Sequence, residues 1–318
     1  MESVWKWRDM ASIRPDLSEE KIIQSSIRCL ARTADVCGEG VVWHPAHNAV
    51  YWTDVNRGLL HRLLLSSNDL KTWEFDEPVV ALTLTTNPEE LLVVLGGHIL
   101  LWSPEHDRRD AILYRLPQWP TIRCNDARAD PAGTLWFGTM QNNVAADGST
   151  REVTEHVGQL LSLDARGDVK TWQSGVGISN TVAWSLADDL MYFGDTLRNE
   201  IYAYDYDKSA QQISHGRVFS EGFDRGLPDG SAMDAEGFLW NCRYGGGCIV
   251  RFAPDGSVDL VIDTAVPNPT TCTFGGTDWK TLYFTSAGEG TQRGGVEDGG
   301  LFSLRTPVAG LPPNSFRL

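Results

Sequence analysis

Residues 47–63 read HNAVYWTDVNRGLLHRL: an alternating apolar and polar run, a turn at Asn56-Arg57-Gly58, and a second run of the same kind. Alternation at period two is the mark of a strand whose two faces differ. The unit recurs as EELLVVLGGHILLWSP at 89–104 and as AGTLWFGTM at 132–140 followed by GQLLSLDARGDV at 158–169. It returns as DDLMYFGDTLRNEIYAYDYD at 188–207, as EGFLWNCRYGGGCIVRFAPDG at 236–256, and as WKTLYFTSA at 279–287 with GGLFSLRTP at 299–307. The anchors Tyr51, Leu92, Trp136, Tyr192, Trp240 and Tyr283 lie 41 to 56 residues apart, near the period of a four-stranded propeller blade. Turn signals such as Pro131-Ala132-Gly133, Arg166-Gly167-Asp168 and Asp255-Gly256 fall between the runs. Six copies predict an all-β, six-bladed β-propeller, in which each sheet finds neighbours for both faces that it cannot bury alone.

Closure of such a ring needs the two ends of the chain to meet. The β-like stretch Ser26–Ala31 is placed to pair with strands near Gly300–Pro307. The propeller domain is therefore expected over 26–318. Residues 1–25 form an extension packed on the outside, with a short helix Leu17–Gln24 capped by Asp16 or Ser18.

Composition agrees with sheets: 12 Trp among 318 residues suit pleated, half-buried surfaces, and 31 Gly with 15 Pro suit tight turns. The net charge of −15 repels phosphate backbones and anionic lipid, which argues against nucleic acid and membrane partners. Six cysteines without a CxxC pair give neither a zinc ribbon nor a redox motif, so reduced, structural thiols are expected. No signal-peptide core and no long apolar span is evident, which places the protein in the cytoplasm as an expectation.

The chemistry is suggested by what precedes each anchor. Cys37-Gly38-Glu39-Gly40, Arg123-Cys124-Asn125-Asp126, Ile178-Ser179-Asn180-Thr181 and Leu227-Pro228-Asp229-Gly230 each stand 9 to 12 residues before the anchor of their own blade. In a propeller that position is on the innermost strand, facing the central channel. Taken singly, each is a turn or cap residue; the shared phase points instead to one axial site. Carboxylates from Glu39 and Asp229 with the amide oxygen of Asn180 make an all-oxygen set. Ca²⁺, Mg²⁺ or Mn²⁺ suit it, with Zn²⁺ or Fe²⁺ as further candidates.

Gly38-Glu39-Gly-x-x-Trp43, Arg123-x-Asn125-Asp126, Ser179-Asn180, Pro228-Asp229-Gly230 and Asn268-Pro269-Thr270 together resemble the gluconolactonase family that includes senescence marker protein 30 (regucalcin), over about residues 28–307. The resemblance implies one divalent metal held by Glu39, Asn180 and Asp229, and a sugar lactone as substrate. It implies Arg123 and Asn125 as the substrate-holding pair, with Asn125 close to the metal, and Asp229 as general base. Two departures stand out. The family often has Gly after the central Asn, where this chain has Thr181, so a backbone shift is expected there. Some relatives carry an acidic substrate contact after Gly-Thr-Met, where this chain has the uncharged Gln141, Asn142 and Asn143.

Other signals have plainer readings. His44-Pro45-Ala46-His47 has metal-like spacing, but Pro45 forbids a helix, so a turn with two exposed histidines is expected. Gly245-Gly246-Gly247 reads as a hairpin turn, Cys124 as core, and Trp102 or Trp119 as a possible wall of the pocket mouth. No Gly-x-Ser-x-Gly elbow is present. The rival functions are a phosphotriesterase- or arylesterase-like propeller hydrolase and a non-catalytic metal-binding scaffold. Arg123 and Asn125 favour a polyhydroxylated ligand over the first, and polar groups in register at the channel have no use in the second.

Overall fold

A computed structural model describes residues 23–289 and 295–318. Six antiparallel sheets stand around an axis, as the repeats predict. Blade 1 spans 38–74, blade 2 79–115, blade 3 122–176, blade 4 179–221 and blade 5 227–263, each with four strands in sequence order. Blade 6 takes three strands from 269–305 and its outermost from Arg28–Ala31, which pairs antiparallel with Leu301–Arg305. The N-terminal strand thus closes the ring where the sequence placed it. Ser315–Phe316 adds a parallel fifth strand to blade 2. Residues 23–25 are helical and Ile23 is buried among blade 5 and 6 residues; the rest of the expected helix, 17–22, and its candidate caps lie outside the described residues.

Each inner strand touches the inner strands of both neighbours in cyclic order. The aromatic residues explain how the blades adhere, because an aromatic pair spans every interface. Tyr51 meets Trp102 between blades 1 and 2, Tyr114 meets Phe137, and Trp136 meets Trp184. Phe219 meets Phe252, Trp240 meets Phe274, and Trp43 stacks on Tyr283 to return to blade 1. Centroid separations of 5.7–6.4 Å are those at which edge and offset pairs add to area burial. Trp102 is wholly buried in this role and does not line the mouth, contrary to expectation. Trp119 packs over Gly96 and Gly97 and borders a cleft beside Asn56 and Asn142.

The histidine pair also departs from expectation. Residues 45–48 do form a turn, but His44 is buried and His47 half-buried, with their rings stacked 3.6 Å apart. His47 Nδ1 bonds the Tyr51 hydroxyl at 2.8 Å. The end of the inner strand lies near Pro88 of blade 2, so His44 is buried while Pro45, Ala46 and Asn48 of the turn stay exposed. The other minor readings hold: Gly245–Gly247 turn between two strands, and all six cysteines are free, with Cys124 in the core.

Candidate functional site

The inner strand of every blade carries a β-bulge at the same height. Pairing to the second strand slips by one residue between Glu39 and Val42, Val79 and Ala81, Cys124 and Ala127, Asn180 and Ala183, Pro228 and Ser231, and Pro269 and Cys272. A bulge re-aims side chains out of the pleat. Here it does so six times around one axis, which is the physical basis of the shared phase in the sequence.

Two versions of the bulge occur. In blades 1 and 4 the first unpaired residue is left-handed, Gly40 at φ 58° and Thr181 at φ 53°, and the residue before it, Glu39 or Asn180, is a candidate ligand. In blades 3 and 5 no such inversion occurs, and the first unpaired residue itself, Asn125 or Asp229, is the candidate. Threonine at 181 adopts the conformation that glycine takes in blade 1. Its hydroxyl donates to the carbonyl of Asp229 and lies 3.0 Å from Ser231 Oγ. Asn241 Nδ2 donates to the same Asp229 carbonyl at 2.9 Å.

A hydrogen-bonded chain joins Arg123, Asn125 and Asn180 and ends beside Asp229; Glu39 stands outside it, its carboxylate accepting the Gly40 N–H at 3.2 Å. Arg123 Nη1 donates to Asn125 Oδ1 at 2.5 Å, and Asn125 Nδ2 donates to Ser179 O at 2.7 Å and Asn180 Oδ1 at 3.1 Å. Asn180 Nδ2 donates to Thr196 Oγ1 at 2.8 Å, and that hydroxyl donates to Pro228 O at 2.8 Å, next to Asp229. With its NH₂ committed to Thr196, Asn180 keeps its oxygen on the Asn125 side.

Glu39 and Asp229 meet electrostatically across the axis. Burial raises Glu39 to about 8, with repulsion from Asp126 adding to it. Burial likewise lifts Asp229 far above the usual carboxylate range, helped by repulsion from Glu39 and Asp126. Asp126 is raised by burial and accepts the Val182 N–H at 3.2 Å. It belongs to the arrangement although sequence reasoning gave it no role; its place beside Asn125 at the bulge was the available signal. Among the described residues none of these three carboxylates forms an ion pair. The nearest cations act from a distance, Arg123, Arg128 and Arg243, each tied to other partners. No group of three or more His, Cys, Asp or Glu with metal-binding geometry occurs among the described residues; the candidate set has two carboxylates and an amide. Carboxylate oxygens of this kind, buried or half-buried and without a countercharge, fit a hard divalent cation.

Arg123 is buried, and its donors are largely engaged. Nε and Nη2 reach Asn143 Oδ1 at 2.9 and 2.8 Å, while Nη1 reaches Cys124 O as well as Asn125. Of five N–H groups, one on Nη2 keeps no partner among the described residues. Asn143 is thus a direct partner of Arg123, and Asn142 instead bonds Pro120 O and the Val144 N–H. Three further residues stand on the Arg123 side of the cluster. Cys37 and Tyr244 both feel Asp229 and Glu289, and Glu289 feels Arg123. No repeat pattern in the sequence signals Tyr244 or Glu289.

A sequence profile described as "SMP-30/Gluconolactonase/LRE-like region" matches residues 37–288. The pentonolactonase XacC of Haloferax volcanii is 34% identical, covering 86% of this chain and 92% of that one. A 6-deoxy-6-sulfogluconolactonase of Pseudomonas putida is 31% identical over 91% and 97%. Among solved structures, a calcium-binding protein, regucalcin, from Agrobacterium tumefaciens superposes with a TM-score of 0.84 at 26% identity, covering 92% of this chain and 97% of that one.

Proposed function

The chain belongs to the SMP-30/gluconolactonase/LRE-like family, and from that membership we propose that it is a lactonase whose site, held at the axis by Glu39, Asn180 and Asp229, opens sugar lactones with the help of one divalent cation. The observation that carries the cation is the trio of carboxylates without an ion-pair partner, Asp229 buried and Glu39 and Asp126 half-buried, set against an amide oxygen already oriented by Thr196. When bound there, a divalent cation supplies charge stabilisation to an ester oxygen as negative charge develops on it.

The chain's own residues provide the rest. Asp229 is held at its backbone by Thr181 and Asn241 and accepts a proton from the attacking water. Asn125, fixed on both sides of its amide, sets the depth to which the lactone ring enters. Arg123 offers one N–H to the substrate and spends the others holding Asn125 and Asn143 in place. The pentonolactonase and sulfogluconolactonase names of relatives support an aldonolactone as the substrate class.

The test is hydrolysis of an aldonolactone, with and without chelator, by the wild type and by Asp229→Asn. Turnover that chelation abolishes and added cation restores, with a loss of roughly 10²–10⁴ in kcat for the variant, is the expected result. Turnover of a paraoxon-type ester in preference to any lactone would favour the esterase reading. Rates indifferent to chelator would exclude the cation.

A further inference from the structure

Glu289 follows the second strand of blade 6, and its backbone is fixed. Ala287 N donates to Asn268 O at 2.9 Å, Gly288 N to Asp35 O at 3.0 Å, and Glu289 N to Val36 O at 3.1 Å. Asn268 Nδ2 donates to Glu289 O at 3.0 Å. The side chain is steered as well. Thr150, from the long loop after blade 3's second strand, donates to Glu289 Oε2 and itself receives Asn56 Nδ2 at 2.8 Å. Tyr244, from blade 5, is near enough to this carboxylate for the two groups to interact electrostatically. Residues from blades 1, 3 and 6 therefore hold a half-buried carboxylate, and its partner Thr150 stands next to Arg151, whose N–H donates at 2.7 Å to the carbonyl of Asn143, the partner of Arg123. A surface glutamate has no need of such a setting.

Charge at the neighbouring wall makes the placement meaningful. Arg123 is faced by the neutral Asn143, so the acid on this side of the site comes from blade 6 instead. We propose that Glu289, with Tyr244, is a specificity-determining residue: its carboxylate accepts hydrogen bonds from the outer hydroxyls of a neutral polyhydroxylated lactone and repels lactones whose far end is anionic. This rests on the lactonase reading, because the ester must lie at the axis for the far end of the sugar to reach the mouth. A carboxylate accepts from hydroxyls with charge-assisted strength, and a like charge brought within hydrogen-bond range disfavours binding.

The test compares D-glucono-1,4-lactone with D-glucaro-1,4-lactone, which share a ring and differ by a hydroxymethyl against a carboxylate. The wild type should prefer the neutral lactone by about tenfold or more in kcat/KM, the size of one modest like-charge contact. Its activity on the anionic lactone should rise with added salt as the repulsion is screened. Glu289→Gln keeps the shape and an oxygen to accept the Thr150 hydroxyl, so the variant should fold. Its neutral:anionic ratio should fall at least fivefold, mainly through faster use of the anionic lactone. An unchanged ratio in the variant, with wild-type turnover of the neutral lactone intact, overturns the role of Glu289 alone. A salt-independent ratio in the wild type does the same. Wild-type protein inert on both lactones overturns the lactonase reading and the proposal with it.

Discussion

Thr181 places a β-branched side chain on left-handed backbone, a conformation that disfavours such residues by about 1–2 kcal/mol. The offsetting interactions are its hydroxyl contacts with the Asp229 carbonyl and Ser231, both wholly interior. Substitutions should separate the two terms. Thr181→Gly relieves the backbone and loses the hydroxyl, so its unfolding free energy should stay near wild type. Thr181→Val keeps the strain and leaves the hydrogen-bonding groups short of a partner, costing about 1–3 kcal/mol in a denaturant titration. Both should lower kcat more than they raise KM, since the hydroxyl holds Asp229 and not the substrate. Equal stability of the two variants would show that the left-handed backbone costs nothing here.

The strand pair is the scale at which the sequence was legible and also where it fell short. The 41–56-residue period and the common position of Glu39, Asn125, Asn180 and Asp229 are set by strand length and by one bulge per blade, so both leave a trace in residue spacing. The one-residue offset between Glu39/Asn180 and Asn125/Asp229 depends on the sign of φ, and a threonine in a strand gives no hint of it. Glu289 was invisible because it stands in a loop outside the repeat and is held by residues of other blades. His44 was misjudged for a related reason: it is buried near a neighbouring blade while most of the turn after it stays exposed. Burial there, with repulsion from His47, lowers its pKa from 6.5 to about 4. The unfolded chain therefore takes up the proton first as pH falls, and stability is lost between about 6.5 and 4. For this group the loss approaches 3 kcal/mol. His44→Asn should flatten the stability profile across that window, measured by urea unfolding at stepped pH, while an unaltered slope would assign the acid sensitivity elsewhere.

The whole molecule balances an apolar ring against a charged axis. Aromatic pairs at all six interfaces and the N-terminal strand in blade 6 draw the blades inward. That closure forces Glu39, Asp126 and Asp229 together, where each raises the cost of ionising the others. A cation reverses the sign of this interaction, so binding and folding are linked. Loaded at a hundred times its dissociation constant, one ion adds about 2.7 kcal/mol to unfolding. Wild-type protein should therefore melt at a lower temperature after chelation and recover with excess Ca²⁺, Mg²⁺ or Mn²⁺. Glu39→Gln should behave oppositely: without metal it should be more stable than the wild type by about 1–2 kcal/mol, since a neutral amide ends one repulsion at the cost of one lost ligand. With metal it should gain little. Differential scanning calorimetry of the two proteins, each chelated and each loaded, gives four melting temperatures. A chelated wild type that melts no lower than Glu39→Gln would mean that the axial carboxylates are neutralised from within the fold, and that the ring closes without strain at its centre.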